Sequence, residues 1–353
     1  MNEATPWSRT NQLIIAAAAG LGVEAEAIAS EHSDFFLRLR WPGPPPRAVI
    51  VSKTRSPFLT QVAQTLANNK FASRELLAGE GLPVITSALF DEAHDPRVHG
   101  HAATRARAQL SAHGRVVVKP NWGNRGLGIT TAVTGFDELC SAYALARAYD
   151  RDEEVLVEPF VAGINLRVTV IGGRVAAAAE LRRPQLRGDG CKTAAALLAE
   201  LNADPRRASW DRPRLVALDR IEPEQVAERL AVAGLELDEV VPSGVRVELS
   251  FEEIEVVDRS DELDPGWAAV AIAAAGGLGV DVAGVDLRGP AEVLLGGAEL
   301  GSRRAGVLEV NALPALHLHA LPTSGRARPV FEDFVAYCLQ LPGAPPVCAQ
   351  VRV

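Results

Sequence analysis

The run Val307-Leu308-Glu309-Val310-Asn311 sets a carboxylate and an amide two residues apart. In an extended chain, alternation turns both to one face. In Val282-Ala283-Gly284-Val285-Asp286 the same alternation sets Asp286 opposite to Val285. Strands this apolar carry a carboxylate inward only when it has a partner. Two carboxylates and an amide oxygen are hard ligands of the kind that holds Mg2+ against a phosphate. The plainer alternative is a set of polar strand-end residues facing solvent.

Lys119 closes the run Val116-Val117-Val118-Lys119 and opens Pro120-Asn121-Trp122-Gly123-Asn124-Arg125-Gly126-Leu127-Gly128. Glycines let backbone N–H groups approach a phosphate, and a nearby lysine adds charge. The spacing is not that of a Walker loop, and no GxGxxG follows the first strands. An ordinary hairpin with a surface lysine is the alternative. Arg182, Arg183, Arg187 and Lys192 flank Gly188-Asp189-Gly190, with Arg206 and Arg207 further on. That cluster is a candidate anion site or a solvated basic loop. His94, His99 and His101 could bind a metal, but they lack a fixed helical spacing or a nearby Cys, and a polar loop is the plainer reading. No G-x-S-x-G motif occurs, so no serine nucleophile can be placed.

Hydrophobic periodicity supplies the elements that must position these groups. Helices are expected at Asn11–Ala19, Thr60–Leu66, Phe71–Ala78 behind an Asn69 cap, Asp137–Asp150, Thr193–Leu201 and Trp267–Ala275. Strands are expected at Val23–Ile28, Phe35–Leu39, Ala48–Val51, Val116–Lys119, Ile129–Val133, Val155–Glu158, Leu166–Ile171, Val175–Leu181, Val280–Leu287 and Gly306–Val310. Gly172-Gly173 makes a hairpin turn. A basic loop covers 182–193, and the chain from the end of the following helix to about 264 reads as a long polar stretch.

At about 100–200 residues per domain, 353 residues make two or three units. With 48% hydrophobic and 23% charged residues, the chain is neither disordered nor fibrous. Thirty-six Lys and Arg against forty-four Asp and Glu leave a net charge of −8, the wrong sign for a nucleic-acid binder. Cys140, Cys191, Cys338 and Cys348 form no CxxC pair. Leu13–Leu21 is too short to span a bilayer. The expectation is a reduced, cytoplasmic protein without a nucleic-acid or membrane partner.

Taken together, these segments resemble the ATP-grasp superfamily. The branch most similar is the amide-ligase domain of cyanophycin synthetase, with kinship to glutathione-synthetase-type and peptide ligases. The match runs from about Asn68 to Val330. It rests on Asn69-Lys70 with Gly81-Leu82-Pro83-Val84, Val118-Lys119-Pro120 with Gly123, Gly126 and Gly128, and Val157-Glu158-Pro159-Phe160 with Gly163, Asn165 and Arg167. Gly188-Asp189-Gly190, Asn202–Arg207, Ala283–Asp286, Glu309–Ala312 with Pro314, and His319 with Pro322 and Gly325 follow in the family order.

The resemblance implies an α/β (α+β) fold of three subdomains, with ATP between the central and C-terminal ones. Residues 1–67 would form a small N-terminal unit, 68–114 a linker and helical part, 115–181 the central lid, 182–340 the C-terminal subdomain with the metal site, and 341–353 a tail. Lys70 and Lys119 would bind phosphates under Gly123, Asn124, Gly126 and Gly128. Glu158 and Phe160 would hold adenine, Asn165 the ribose, and Arg167 would complete the nucleotide set. Asp286, Glu309 and Asn311 would hold Mg2+ or Mn2+, and Arg182, Arg246 and Asn311 would serve catalysis. Glu253, Glu255, His317 and His319 would meet substrate. The implied reaction joins a carboxylate to an amine through an acyl phosphate, releasing ADP and phosphate. Amino acids, small peptides and other small carboxylates are the implied substrates, and a homodimer is the expected assembly.

Three departures accompany the resemblance. Asn165 stands where family members commonly carry Asp or Glu. His317 stands in place of a family Arg near Pro314. A basic and polar loop of the cyanophycin-type ligases is replaced by Leu249-Ser250-Phe251-Glu252-Glu253-Ile254-Glu255. Three glutamates there repel a carboxylate and attract a cationic amine, so a positively charged acceptor is expected. The segment before Asn68 is shorter than the family's, and no Mur-ligase-like segment follows. The expectation is therefore a stand-alone ligase and not a polymerising cyanophycin synthetase. The alternatives are a ligase with a non-amino-acid acceptor and a non-catalytic or regulatory ATP-binding protein.

Overall fold

A computed structural model describes residues 8–28, 35–123, 126–204, 207–208, 218–249, 255–296 and 304–347. The expectations for Asn124, Arg206, Glu253 and the rest of 250–254 lie outside those residues. The chain divides into two units. Unit one takes Met1–Lys53, Ala179–Arg259 and Ala315–Leu339; unit two takes Thr54–Ala178, Ser260–Pro314 and Gln340–Val353.

Unit two holds two antiparallel sheets. The first is ordered Ala88–Phe90, Val155–Pro159, Val116–Pro120 and Thr130–Val133. Val116, Val118 and Val157 turn to a core with Phe90, Leu139 and Tyr143, beneath the helices Gly100–His113 and Phe136–Tyr149. The strand pairing sets Val117 against Glu158 and Lys119 against Leu156. Alternation therefore puts Lys119 and Glu158 on the face away from that core, as diagonal neighbours. The hairpin from Pro120 to Thr130 needs its glycines: Gly128 has φ +71°, and a Cβ there would come within 3.0 Å of Pro120 and Tyr149.

The second sheet sets Ile164–Ile171 beside Val282–Gly289, which pairs in turn with Gly306–Asn311. Its apolar face carries Leu166, Val168, Val285 and Val310 against the helix Pro265–Gly277. Asp264 caps that helix by accepting from the Gly266 and Trp267 amides, and Pro265 occupies the first turn where its missing N–H costs nothing. Ala63, Ala67 and Leu77, from the helices Gln61–Asn68 and Lys70–Gly79, join the same core. A Cβ on Gly163 (φ +129°) would overlap the Gly289 carbonyl, so that turn is closed to side chains.

Unit one carries a three-stranded antiparallel sheet, Glu24–Ile28, Phe36–Trp41 and Arg47–Val51. The helices Arg9–Gly20 and Val330–Leu339 pack against it. A separate cluster gathers Leu186, Leu198, Val226, Leu230 and Val247 around the helices Ala194–Asn202 and Pro223–Val232. The polar stretch expected before 264 thus contains a helix whose Val226 and Leu230 are buried four residues apart. The strand Arg174–Arg182 begins in unit two, and its last residues pair with Glu255–Asp258 in unit one.

Candidate functional site

The helix Lys70–Gly79 starts at Asn69, whose side chain accepts from the Ala72 amide. That cap fixes Lys70 in the first turn and Arg74 one turn on, and both are buried. Lys70 Nζ donates to the Gly123 carbonyl at 2.5 Å and lies 3.7 Å from Glu309. Arg74 Nη1 donates to Glu158 Oε2 at 2.6 Å and to the Ile85 carbonyl at 2.9 Å. Lys119 Nζ lies 2.7 Å from the other Glu158 oxygen. Burial would raise the Glu158 pKa, but Lys119 and Arg74 outweigh it and hold the carboxyl below its ordinary value. Lys119 fares the other way. Burial pushes its ammonium down to about 8, with Glu158 opposing and Arg74 adding repulsion.

On the second sheet, Arg167, Asp286 and Glu309 stand in one row across three strands. Arg167 grips Asp286 with two bonds of 2.6 Å, from Nε to Oδ1 and from Nη2 to Oδ2. That carboxylate keeps the guanidinium charged in spite of burial. Asn311, two residues along from Glu309, donates to Asp286 at 3.2 Å and to Glu309 at 3.2 Å. Burial pushes Asp286 up to about 6 against the pull of Arg167, with the Glu309 charge adding to the rise. Glu309 is held down to about 2: burial opposes, and Lys70, Lys119 and Arg167 win.

A cleft of about 350 Å³ opens among Lys70, Trp122, Gly123, Tyr149, Glu309 and Asn311. Arg151 stacks on the Trp122 ring at 3.6 Å. The structure therefore brings Lys70, Lys119, Gly123, Glu158, Arg167, Asp286, Glu309 and Asn311 into one unit with direct contacts. Gly126 and Gly128 shape the adjoining hairpin with φ values of +75° and +71°. Asn165 is exposed on the same sheet face, and its Oδ1 accepts from Arg288 at 2.9 Å. Phe160 donates its backbone N–H to the Arg115 carbonyl at 3.0 Å.

Arg182, Arg246, Glu255, His317 and His319 belong to unit one. Arg182 is held by Glu180 at 2.6 and 2.9 Å and lies across the strand pair from Glu255. Arg246 is exposed and faces Arg187 across its own pair, like charge against like. Much of the basic loop is already neutralised. Arg183 meets Glu248 at 3.3 Å, and Lys192 meets Glu200 at 2.7 Å. His319 is buried at the short helix His317–Ala320. The rings of His94 and His99 lie 5.6 and 5.7 Å from that of His101, and Asp91 takes the His94 ring nitrogen at 2.6 Å. Among the described residues, no group of three or more His, Cys, Asp and Glu is placed to hold a metal ion. A cation at the Asp286–Glu309 pair would therefore need Asn311 or oxygens from a ligand as well. No helix among them is long and apolar enough to cross a membrane.

Sequence reasoning missed Arg74 and Asn121. Arg74 follows Lys70 by four residues, which puts both on one helix face. That spacing was the available signal. Asn121 gave none beyond its place at the foot of the hairpin.

No family model matches the chain. It is 31% identical over 277 residues to cyanophycin synthetase of Nostoc sp., covering 75% of this chain and 28% of that protein. It is 31% identical over 276 residues to the glutathione biosynthesis bifunctional protein GshAB of Mannheimia succiniciproducens, covering 76% of this chain and 34% of that one. The chain thus spans about a third or less of the length of these relatives. In structure it is similar to a bifunctional glutathione synthetase from Pasteurella multocida, with a TM-score of 0.63 and 24% identity. That alignment covers 94% of this chain and 44% of the other.

Proposed function

This chain has the ATP-grasp fold and is related to cyanophycin synthetases and bifunctional glutathione-biosynthesis proteins, and we propose that it is an ATP-dependent carboxylate–amine ligase. A carboxylate oxygen of a small acid, amino acid or peptide attacks the γ-phosphorus of ATP, and ADP leaves. The amine nitrogen then attacks the acyl carbon, phosphate leaves, and the nitrogen gives up a proton to form the amide.

One observation carries this reading. Lys70, Arg74, Lys119 and Arg167 gather around three carboxylates, Glu158, Asp286 and Glu309, next to a glycine-rich hairpin. Phosphoryl transfer needs little covalent help from a protein and depends on such positioned charge. Lys70 and Lys119 would hold the phosphates, with Gly123, Asn124, Gly126 and Gly128 giving close backbone approach. Both Glu158 oxygens are taken by Lys119 and Arg74, so its share is to fix those cations, and adenine falls to the backbone around Phe160. Asn165 presents an amide nitrogen to a ribose hydroxyl, without the charge assistance of a carboxylate. Glu309, and Asp286 through the lone pairs that Arg167 leaves free, would offer oxygens that suit Mg2+, or Mn2+, beside phosphate. Asn311 would join them by turning inward its amide oxygen in place of the Nδ2 that donates to both. Two carboxylates facing each other, one of them pushed up to about 6, make a place where a divalent cation is welcome. When bound there, the ion would neutralise phosphate oxygens.

In unit one, Arg182 and Arg246 would orient the reacting carboxylate, and Glu253, Glu255, His317 and His319 would meet the acceptor, a cationic amine. The protein would work in the cytoplasm on small-molecule substrates. The test is ADP release from ATP and Mg2+ with a panel of amino acids, with mass spectrometry for the amide. ADP and an amide that appear only with a particular pair of substrates support the ligase. ATP binding without ADP release for any pair would favour a regulatory nucleotide-binding protein.

A further inference from the structure

Asn121 is 1% exposed and sits two residues beyond Lys119, at the foot of the hairpin. Its hydrogen-bonding groups are spent on two other elements. Its Oδ1 accepts from the Phe71 amide at 2.8 Å, and its backbone carbonyl accepts from the Lys70 amide at 3.5 Å. Its Nδ2 donates to Asn69 Oδ1 at 3.1 Å and to Glu154 Oε2 at 2.5 Å. Its backbone N–H donates to the Glu154 carbonyl at 3.0 Å.

The first amides of a helix lack partners inside it. Here those of Lys70, Phe71 and Ala72 are met by Asn121 and Asn69. The helix start that carries Lys70 is thereby tied to the strand end that carries Lys119. Glu154 fastens the other side and also takes the Trp122 indole N–H at 3.1 Å, while the Trp122 amide donates to Asp150 at 2.6 Å. Lys70 Nζ closes the loop on the Gly123 carbonyl.

We propose that Asn121 is a positioning residue, joined to Asn69 and Glu154, that sets the spacing of Lys70 and Lys119 and so the fit of the nucleotide phosphates. This rests on the ATP-binding reading above. Asn121 acts through the two lysines and touches no phosphate itself. Its effect on affinity must therefore depend on the lysine it positions, which an effect on folding alone would not.

The experiment is a double-mutant cycle on Asn121→Ala and Lys70→Ala, read as the calorimetric Kd for ADP and for ATP with Mg2+. Each single change is expected to weaken binding by about tenfold, the scale of one lost charge-assisted contact. In the Lys70→Ala background, Asn121→Ala should add less than about twofold, as coupled neighbours do. Asn121→Asp guards against a variant that does not fold. It keeps the shape and the acceptor for Phe71 but sets a carboxylate against Glu154 and against the Asn69 oxygen. Adding Glu154→Gln restores a donor on the Glu154 side and should recover part of the affinity. Additive effects in the cycle, or no recovery with Glu154→Gln, overturn the proposal while leaving the ligase reading intact. A wild-type protein that binds neither nucleotide overturns both.

Discussion

Lys119 and Glu309 are both charges largely withdrawn from water, and they respond in opposite senses. Burial is the largest influence on each. Lys119, on the four-stranded sheet, is driven toward its neutral form, because burial outweighs the pull of Glu158, which it shares with Arg74, and of Glu309. Glu309, on the neighbouring sheet of the same unit, is driven toward its charged form, because Lys70, Lys119 and Arg167 all bear on it. The two sheets thus differ in what they lack. The face around Lys119 is short of negative charge, and the face around Glu309 is supplied with positive charge from outside its own strand. On the ligase reading the first would take the phosphate anion, and a cation at the second would relieve Asp286.

The sharpest way to break that contrast is at Glu158. Glu158→Gln strands Lys119 and Arg74 without a charge partner, and breaking such a buried pair costs about 3–5 kcal/mol. Urea unfolding should show a loss of that size, far larger than for Glu309→Gln, whose side chain is 26% exposed. Equal losses would mean that the two carboxylates are equivalent and the contrast is false. Glu309→Gln should instead act on chemistry. It removes a negative oxygen ligand while keeping shape, so ADP formation should fall roughly 10²–10³-fold with the melting temperature nearly kept. Wild-type turnover in that variant would show the acid row to be idle.

Lys119→Ala should weaken ATP binding by about tenfold or more, since a charge-assisted contact is worth about 1.5–3 kcal/mol. Unchanged affinity by calorimetry would return Lys119 to a purely structural part. The smallest effect is the dependence on pH. Lys119 titrates at about 8 in the free protein, so it is charged at neutral pH and neutral in more alkaline solution. Phosphate favours the charged form, so affinity should be full below that value and fall as pH rises through it, by at most about tenfold per unit. Lys119→Arg stays charged throughout and should flatten the profile; a profile equally steep in that variant would assign the titration to another group.

The elements around the site were legible where the code is local. Asn69 before an amphipathic run marked the helix start that places Lys70, and the glycines after Lys119 marked the hairpin. Glu309 and Asn311 shared a face by simple alternation. Strand register is not local, and so the sequence could not tell that Arg167 stands across from Asp286. Asn121 and Glu154 escaped notice for the same reason, because each finds its partner through a contact between distant segments, whereas Arg74 shares a helix face with Lys70 and only its carboxylate partner lies far along the chain. The helices Pro223–Val232 and Val330–Leu339 were there to be read. In the first, charged neighbours hid the pair Val226 and Leu230. In the second, Val330, Phe331, Phe334, Val335, Cys338 and Leu339 follow helical spacing and are buried.

Unit two is drawn from Thr54–Ala178 and, much later in the chain, Ser260–Pro314. A ribosome releases the chain from its N-terminus. Lys70, Arg74, Lys119, Glu158 and Arg167 are therefore all synthesised before Asp286 and Glu309 exist. During that interval the nascent protein carries the cations Lys70, Arg74, Lys119 and Arg167 with Glu158 but without Asp286 and Glu309. A chain stalled before Ser260 would present this unbalanced half, and the charge pattern is complete only once Asp286 and Glu309 have followed.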